Sequence, residues 1–548
     1  MEHSLEDSSP KDLLSNLSRN DVFLVTNYNI LQTHLNHGWF YGLVLVVTCI
    51  FSLRYYGLHS RKQLSQLPGP KGLPFLGNAL QIPLVRPWLK FMEWASIHGN
   101  VYSLTALGMK IVIVNSCEDA LELMHKRSAI YSDRPRMEVI RKHGGWSFAV
   151  STEPYGPNFH LKRRMINQFF NPTATHKTYH TLSRNALAFA RSALDQPMKI
   201  QSYNRRYSGA NIMKLAYGHE VVEDDDQWIV NADKAVHELE SVGAAGIHPI
   251  DIWPILSKLP LQIWGKKFVR NMAATKEATR EATTKPYDVV KRDFLNGTAI
   301  PSMATSLIEA NLKPDGRVEH EEAINGSLAM TYLAGADTTV ASIDTFIIAM
   351  IHHPEIQLEA QKTIDELLQG ERLPTFEDRA SLPYVEAILR EVEYRWKPVL
   401  PGGVPHCVIQ DDEYRGMSIA SGSMIFPNLI GMMYDSTDFL DPLRFSPRRF
   451  LKSEGNRYSL REDVRNPEQI AFGFGRRICP GRHFATAWMW ITIATFLAVF
   501  EISPCLDDKG EAILPDLEYE PGLVSHPKKY KCHLRPRSQA AAMVLHTS

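Results

Sequence analysis

The sequence predicts a mainly α-helical protein with a smaller β part, preceded by one N-terminal transmembrane helix. Three observations predict it: an uncharged apolar run lies near the start, one helical pattern is long enough to cross a whole domain, and the alternating apolar segments are short and few. With 548 residues, 44% hydrophobic and 22% charged, the chain can bury one or two large cores and is neither disordered nor fibrous in composition.

The first element is the run GWFYGLVLVVTCIFSL at 38–53, which carries no charge and spans roughly 24 Å as a helix. Arg54 can snorkel and Tyr55 and Tyr56 suit a membrane interface, so the expected anchor extends over 38–57. Its acidic lead-in (Glu2, Glu6, Asp7) and late start argue against a cleaved signal peptide. Arg54, Arg61, Lys62 and Lys71 outnumber Lys11 and Arg19, which places the following domain in the cytosol and residues 1–37 in the lumen. There the sequon at Asn16 is available for glycosylation. Six cysteines without CxxC spacing or disulfide-scaffold density fit a reducing compartment, and no zinc cage is indicated.

Residues 58–78 form the next segment, where LPGPKGLPFLGN forbids helix and sets a stiff, extended hinge. The main domain is expected over 79–538, with a short tail at 539–548. VYSLTAL and KIVIVNS flank Gly108-Met109 as a β-hairpin. The long helix runs over 319–353, about 50 Å, and stops at Pro354 because proline cannot continue the hydrogen-bond ladder. Short β-like pieces and turns fill 402–450 before a last helix at 482–500. Sixty basic residues balance sixty acidic ones, so nothing global argues for nucleic acid binding.

The segment 472–481, FGFGRRICPG, fits F-x-x-G-x-R-x-C-x-G at all five fixed positions. Chance produces such a match in a chain of this length with odds on the order of 10⁻⁴. Phe472, Gly475, Arg477, Cys479 and Gly481 have the chemistry of a haem pocket. Glycines let the backbone turn and approach a flat ring, Arg477 can meet an anionic propionate, and the Cys479 sulfur can serve as axial iron ligand. A dinucleotide loop fails, because Ile478 stands where the third glycine is needed.

From its hinge to about Ser538 the sequence resembles the cytochrome P-450 superfamily of haem-thiolate monooxygenases, in its membrane-anchored fungal secondary-metabolism type. The resemblance implies the cytochrome P-450 fold, haem b with an axial cysteine thiolate, and use of O₂ with electrons from NADPH-cytochrome P-450 reductase at the endoplasmic reticulum membrane. The chain itself has no flavin or nicotinamide fingerprint. AGADTT at 334–339 resembles the oxygen-activating motif, which implies proton relay by Asp337 and a hydrogen bond from Thr338. A mid-helix Asp-Thr-Thr read alone is more often back-bonded or solvent-facing.

The family's structural E-x-x-R is represented by Glu391 and Arg395, which enclose three residues rather than two. Both spacings lie on one helix face, and a π-bulge can absorb the extra residue. Arg449 resembles the third member of that network. Arg163 and His406 match the propionate partners, with Phe159 in place of a tryptophan and His160 as a lesser candidate. Lys162, Arg163, Arg164, Arg476, Arg482 and His483 are expected to form a basic face for the reductase. Phe148, Leu333, Val399, Leu400 and Val524, with 242–247 and Tyr332, match the family's variable pocket walls and are apolar or aromatic. That character favours a lipophilic substrate such as a terpenoid or polyketide, although the same residues also make ordinary core. Hydroxylation, epoxidation or desaturation in biosynthesis is the main expectation; detoxification of xenobiotics and a non-catalytic haem sensor are the alternatives.

Overall fold

Helices that are apolar on every side belong inside a protein, and two such helices organise this one. The computed structural model describes residues 65–547 except 224, 243–247 and 456. In chain order the elements used below are α1 Pro87–His98, β1 Val101–Ala106, β2 Met109–Val114, α2 Pro157–Phe170, α3 Tyr179–Asp195, α4 Ile200–Tyr217, α5 Gln227–Ser241, α6 Lys266–Leu295, α7 Glu321–His352, α8 Pro354–Leu368, α9 Pro383–Leu389, β3 His406–Cys407, β4 Met424–Pro427, α10 Arg482–Val499, β5 Phe500–Leu506 and β6 Cys532–Pro536. The architecture is mainly helical with a smaller β part.

In α7 every residue over 339–351 is buried, and in α10 every residue over 486–499. The two helices pack on each other and on α2, α3, α4 and α6, which form the shell of one large core. Pro354 breaks α7 and occupies the first turn of α8, where a missing N–H costs nothing.

Strand alternation puts Tyr102, Leu104, Ile111 and Ile113 against Phe91 and Trp94 of α1. The sheet order is β1-β2-β4-β3, with β1 and β2 antiparallel (Val101↔Val114), β2 and β4 parallel (Ile111↔Met424) and β3 closing antiparallel (His406↔Ile425). The hairpin turns at Leu107 and Gly108, one residue earlier than expected, with φ of 51° and 86°. Two consecutive left-handed residues give the turn whose twist matches the strands. The proline-rich segment is pinned on this sheet, because the Ser103 amide donates to the Pro68 carbonyl (2.8 Å) and the Thr105 amide to Asn78 Oδ1 (2.9 Å).

One expectation is corrected. The N-terminal transmembrane helix expected over 38–57 is overturned as the membrane-crossing element: among the described residues the one helix long and apolar enough to span a bilayer is α7, internal to the chain, with 72% of its most apolar window buried in the protein. Its apolarity serves the core, since a central helix touches protein on all sides. Residues 1–57, with the Asn16 sequon, lie outside the described residues.

Candidate active site

Cys479 sits in a loop that closes on itself three residues before α10, where the Cys479 amide donates to the Phe472 carbonyl at 2.8 Å. Phe472 is half-buried in the main core. A helix N-terminus this close favours negative charge on the sulfur. Gly475 has φ of 55°, and a Cβ there would lie 2.0 Å from the Met124 carbonyl oxygen. Its glycine is therefore demanded by the backbone of 121–126. A Cβ on Gly481 would lie 3.8 Å from Cys479 Sγ, so the glycine leaves that flank of the sulfur uncovered.

Beside the loop is a cluster of buried cations. Arg477, 8% exposed, donates to the carbonyls of Ser132 (2.7 Å), Val150 (3.3 Å) and Glu153 (2.7 Å), and its guanidinium carbon lies 3.9 Å from the centre of the Phe159 ring. Arg134, also 8% exposed, donates to the carbonyls of Ser151, Val404 and Pro405 at 2.6–2.9 Å. Neither makes a side-chain ion pair among the described residues. Burial lowers both, with mutual repulsion adding to it for Arg134; Arg477 comes down to about 10. Arg163, on α2 beside Cys479, is likewise lowered by burial and makes no hydrogen bond or ion pair among the described residues. His406, 3% exposed, donates from Nδ1 to the Tyr131 carbonyl (2.8 Å), and burial and Arg134 push it well below the ordinary histidine range.

Two guanidinium groups, Arg134 and Arg477, thus face carbonyl dipoles; of the nearby carboxylates, Asp133 Oδ1 already accepts from the Tyr155 amide (2.7 Å) and Glu153 is paired with Lys162 and Arg141. Buried charge of one sign is costly unless an anion settles it. A dianionic ring system such as haem, carrying two propionates, fits this cluster as well as the cysteine loop next to it. Arg134 was missed in the sequence; the signal is a buried arginine in SDRP whose partners lie up to 271 residues away. His160 is exposed and stacks edge-on against Tyr155, away from these groups.

On α7 the turn 334–338 is half-exposed although 339–351 is buried, so this stretch lines open space. Thr338 Oγ1 donates to the Ala334 carbonyl (2.8 Å), a back-bond within the helix. Gly335 faces α4, where a Cβ would meet Ile212 at 3.1 Å, so its small size serves helix packing. Asp337 Oδ1 lies 3.0 Å from His526 Nε2, with the side chains 14% and 23% exposed. Leu333, Ala336, Asp337 and Val340 share one face of α7 and line a cavity with Arg205 and Asp233, which pair at 3.0 Å. Leu333 therefore faces charged neighbours as well as apolar ones. His526, Arg205 and Asp233 were also missed, because nothing local marks them.

Glu391 is fully buried. It accepts from the Ser446 amide (2.9 Å) and from Arg449 Nε (3.1 Å), while Arg449 also donates to the Asp441 and Arg444 carbonyls. The chain from Arg390 to Trp396 is π-helical, which accommodates the additional residue before Arg395. The Arg395 side chain lies outside the described residues.

Of the expected pocket walls, Val399 and Val524 are neighbours through the Ser525 amide, which donates to the Val399 carbonyl (2.8 Å), with Leu400 adjacent. Phe148 packs on α7 at Gly326, where an added Cβ would be 3.0 Å from its carbonyl oxygen. Tyr332 commits its hydroxyl to the Trp228 carbonyl (2.9 Å), and 243–247 lie outside the described residues. Lys162 leaves the expected basic face: it is buried and pairs with Glu153 at 2.7 Å. Arg164 and Arg476 are exposed, Arg163, Arg482 and His483 are half-exposed, and His125 and Lys126 add exposed basic groups beside Gly475.

A family model described as cytochrome P-450 matches residues 67–534. Among curated relatives, the cytochrome P-450 monooxygenase claR of Ampulloclitocybe clavipes is 36% identical over 494 residues, covering 90% of this chain and 90% of the relative. Cytochrome P-450 monooxygenase 208 of Postia placenta is 36% identical over 504 residues, covering 92% and 96%. A cytochrome P-450 monooxygenase of Armillaria gallica is 35% identical over 500 residues, covering 90% and 96%.

Proposed function

Because the chain belongs to the cytochrome P-450 family and is a monooxygenase, we propose that it oxidises a lipophilic small molecule in fungal secondary metabolism, of terpenoid or polyketide character, by hydroxylation or a related oxidation. The observation that carries the haem assignment is the buried pair Arg134 and Arg477 beside the Cys479 loop, cations that lack a side-chain counter-ion among the described residues, with the His406 ring next to them.

Haem b, when bound, supplies the reduction of O₂, with one oxygen atom going to substrate and the other leaving as water. Cys479 would hold the iron through its sulfur. Arg134, Arg477, Arg163 and His406 would hold the propionates, and Phe159 braces the Arg477 guanidinium. Thr338 releases its bond to the Ala334 carbonyl to donate into the oxygen site, and Asp337 resupplies the proton. Phe148, Val399, Leu400 and Val524 exclude water from the substrate. Arg164 and Arg476, exposed near Cys479, give NADPH-cytochrome P-450 reductase a basic docking surface. None of the five described cysteines forms a disulfide among the described residues, which supports a catalytic unit facing the cytosol at the endoplasmic reticulum.

The test is optical. The reduced protein with carbon monoxide is expected to show thiolate-type absorption, lost in Cys479→Ser; a folded, haem-loaded wild type without it overturns the ligand assignment. Incubation with reductase, NADPH and a panel of terpenoids, polyketides and xenobiotics, read by product mass, then separates biosynthetic from detoxifying substrates.

A further inference from the structure

The pair formed by Asp337 and His526 joins two distant parts of the chain at the inner end of the cavity lined by Arg205 and Asp233. That cavity runs from a solvent-accessible mouth, where Arg205 and Asp233 are 46% and 42% exposed, to Asp337, which is 14% exposed. Its walls are mostly apolar, with charges of both signs at Arg205, Asp233 and Asp337, so water inside it has hydrogen-bond partners at the mouth and at the inner end. On α7 the next residue after Asp337 is Thr338, whose hydroxyl lies in the half-exposed turn 334–338.

We propose that His526 is the positioning residue of Asp337: its imidazolium fixes the carboxylate at the inner end of the Arg205–Asp233 cavity, which is the path of protons from solvent to Thr338. This rests on the monooxygenase reading above. In each delivery the O–H bond of the Asp337 carboxylic acid breaks, the proton passes to the Thr338 side, and the carboxylate regains one that bulk solvent supplies and cavity water hands on, so that the water is left unchanged. His526 keeps its own proton throughout.

The surroundings favour that charged form. Asp337 and Asp344 face His526 from α7, Asp233 and Glu240 from α5, and Arg205 from α4 is the opposing cation. Burial disfavours the imidazolium, but the hydrogen bond and charge of Asp337 outweigh it and raise His526 above the usual histidine value. On its own loop the backbone is tied, since the Glu520 amide donates to the His526 carbonyl (2.7 Å). Further along α5, Glu240 is close enough to Gly522 that a Cβ there would meet its carboxylate at 2.5 Å. The loop is therefore clamped between α5 and α7, and the ring has a fixed place from which to hold Asp337.

The experiment uses reconstituted holoenzyme with reductase and a turned-over substrate, and reads product formed per NADPH against pH. Wild type should lose coupling as pH rises through the raised His526 titration. His526→Leu should lower coupling about tenfold at neutral pH and abolish that alkaline limb. His526→Gln, which keeps a neutral donor, should retain part of the coupling with a flat profile. Independently of turnover, the ¹⁵N-histidine spectrum of the diamagnetic reduced carbon monoxide complex should show His526 titrating above about 6.5, and returning toward that value in Asp337→Asn. Wild-type coupling with an unmoved alkaline limb in His526→Leu, or a His526 titration indifferent to Asp337→Asn, overturns the proposal. A wild type lacking thiolate-type absorption overturns instead the reading on which it rests.

Discussion

Glu391 with Arg449 and Arg477 with Arg134 are two buried ionic groupings that differ in one respect. The first contains its own counter-charge: a fully buried carboxylate meets an arginine at 3.1 Å and a backbone amide at 2.9 Å. The second has guanidinium groups facing carbonyl oxygens, with no side-chain ion pair among the described residues. A balanced grouping is complete as it stands and serves stability. An unbalanced one is costly until an anion arrives, and so reports a ligand.

The sharpest way to break this comparison is Glu391→Gln. It leaves the Arg449 charge buried without its carboxylate, and a loss of about 3–5 kcal/mol in unfolding free energy is expected. Denaturant unfolding with and without haem checks it, and the loss should be similar in both. Arg477→Leu should do the opposite. Stability without haem should be unchanged or higher, because a desolvated charge is removed, while haem affinity falls by about 2–3 kcal/mol with the loss of a charged hydrogen bond. Haem transfer to an acceptor globin measures that fall, and equal losses in the haem-free and haem-loaded forms would show that Arg477 is a structural partner.

Smaller in size is Thr338→Ala. The hydroxyl is back-bonded to Ala334, so its removal costs the fold little, but product per NADPH should drop about tenfold while oxygen consumption continues. Unchanged coupling would return Thr338 to the role of an ordinary back-bonded helix residue.

What the sequence made legible follows the range of the interactions. The cysteine loop was readable because its chemistry lies within ten consecutive residues, and α7 and α10 because a helix core declares itself by composition and stops at Pro354 or at a strand. Phe500, expected to end the last helix, instead begins β5, since extended pairing with Pro536 of β6 wins there. Arg134 and His526 were invisible because their meaning comes from groups 189 to 271 residues away. Lys162 was misplaced for a related reason. Its position on α2 is surface-like by pattern, but Glu153 and the Phe148 carbonyl, from a loop folded over the helix, enclose its ammonium.

Asp344 offers a third way to settle a buried charge, by protonation. It lies fully buried on α7 and accepts from Asn204 Nδ2 (2.9 Å) and Tyr530 Oη (3.0 Å), two neutral donors. Burial pushes its carboxyl up from 3.8 to about 6, against the opposing effect of those hydrogen bonds. The sign follows from linkage. Because the folded state holds the proton more tightly than the unfolded chain, this group's favourable contribution is full below the unfolded value, declines as pH rises, and is gone above the folded value near 6. A shift of about two units corresponds to ~3 kcal/mol at most. Asp344→Asn removes the ionisation and keeps an oxygen for the same donors, but adds an amide N–H₂ that must find partners, so a net gain of ~1 kcal/mol above neutrality is expected, shrinking or reversing near pH 4. Unfolding free energies of the two proteins across that range check it. A parallel offset at every pH would mean that Asp344 is ionised in the folded state throughout, settled by charge from Arg205 and His526 as Glu391 is by Arg449.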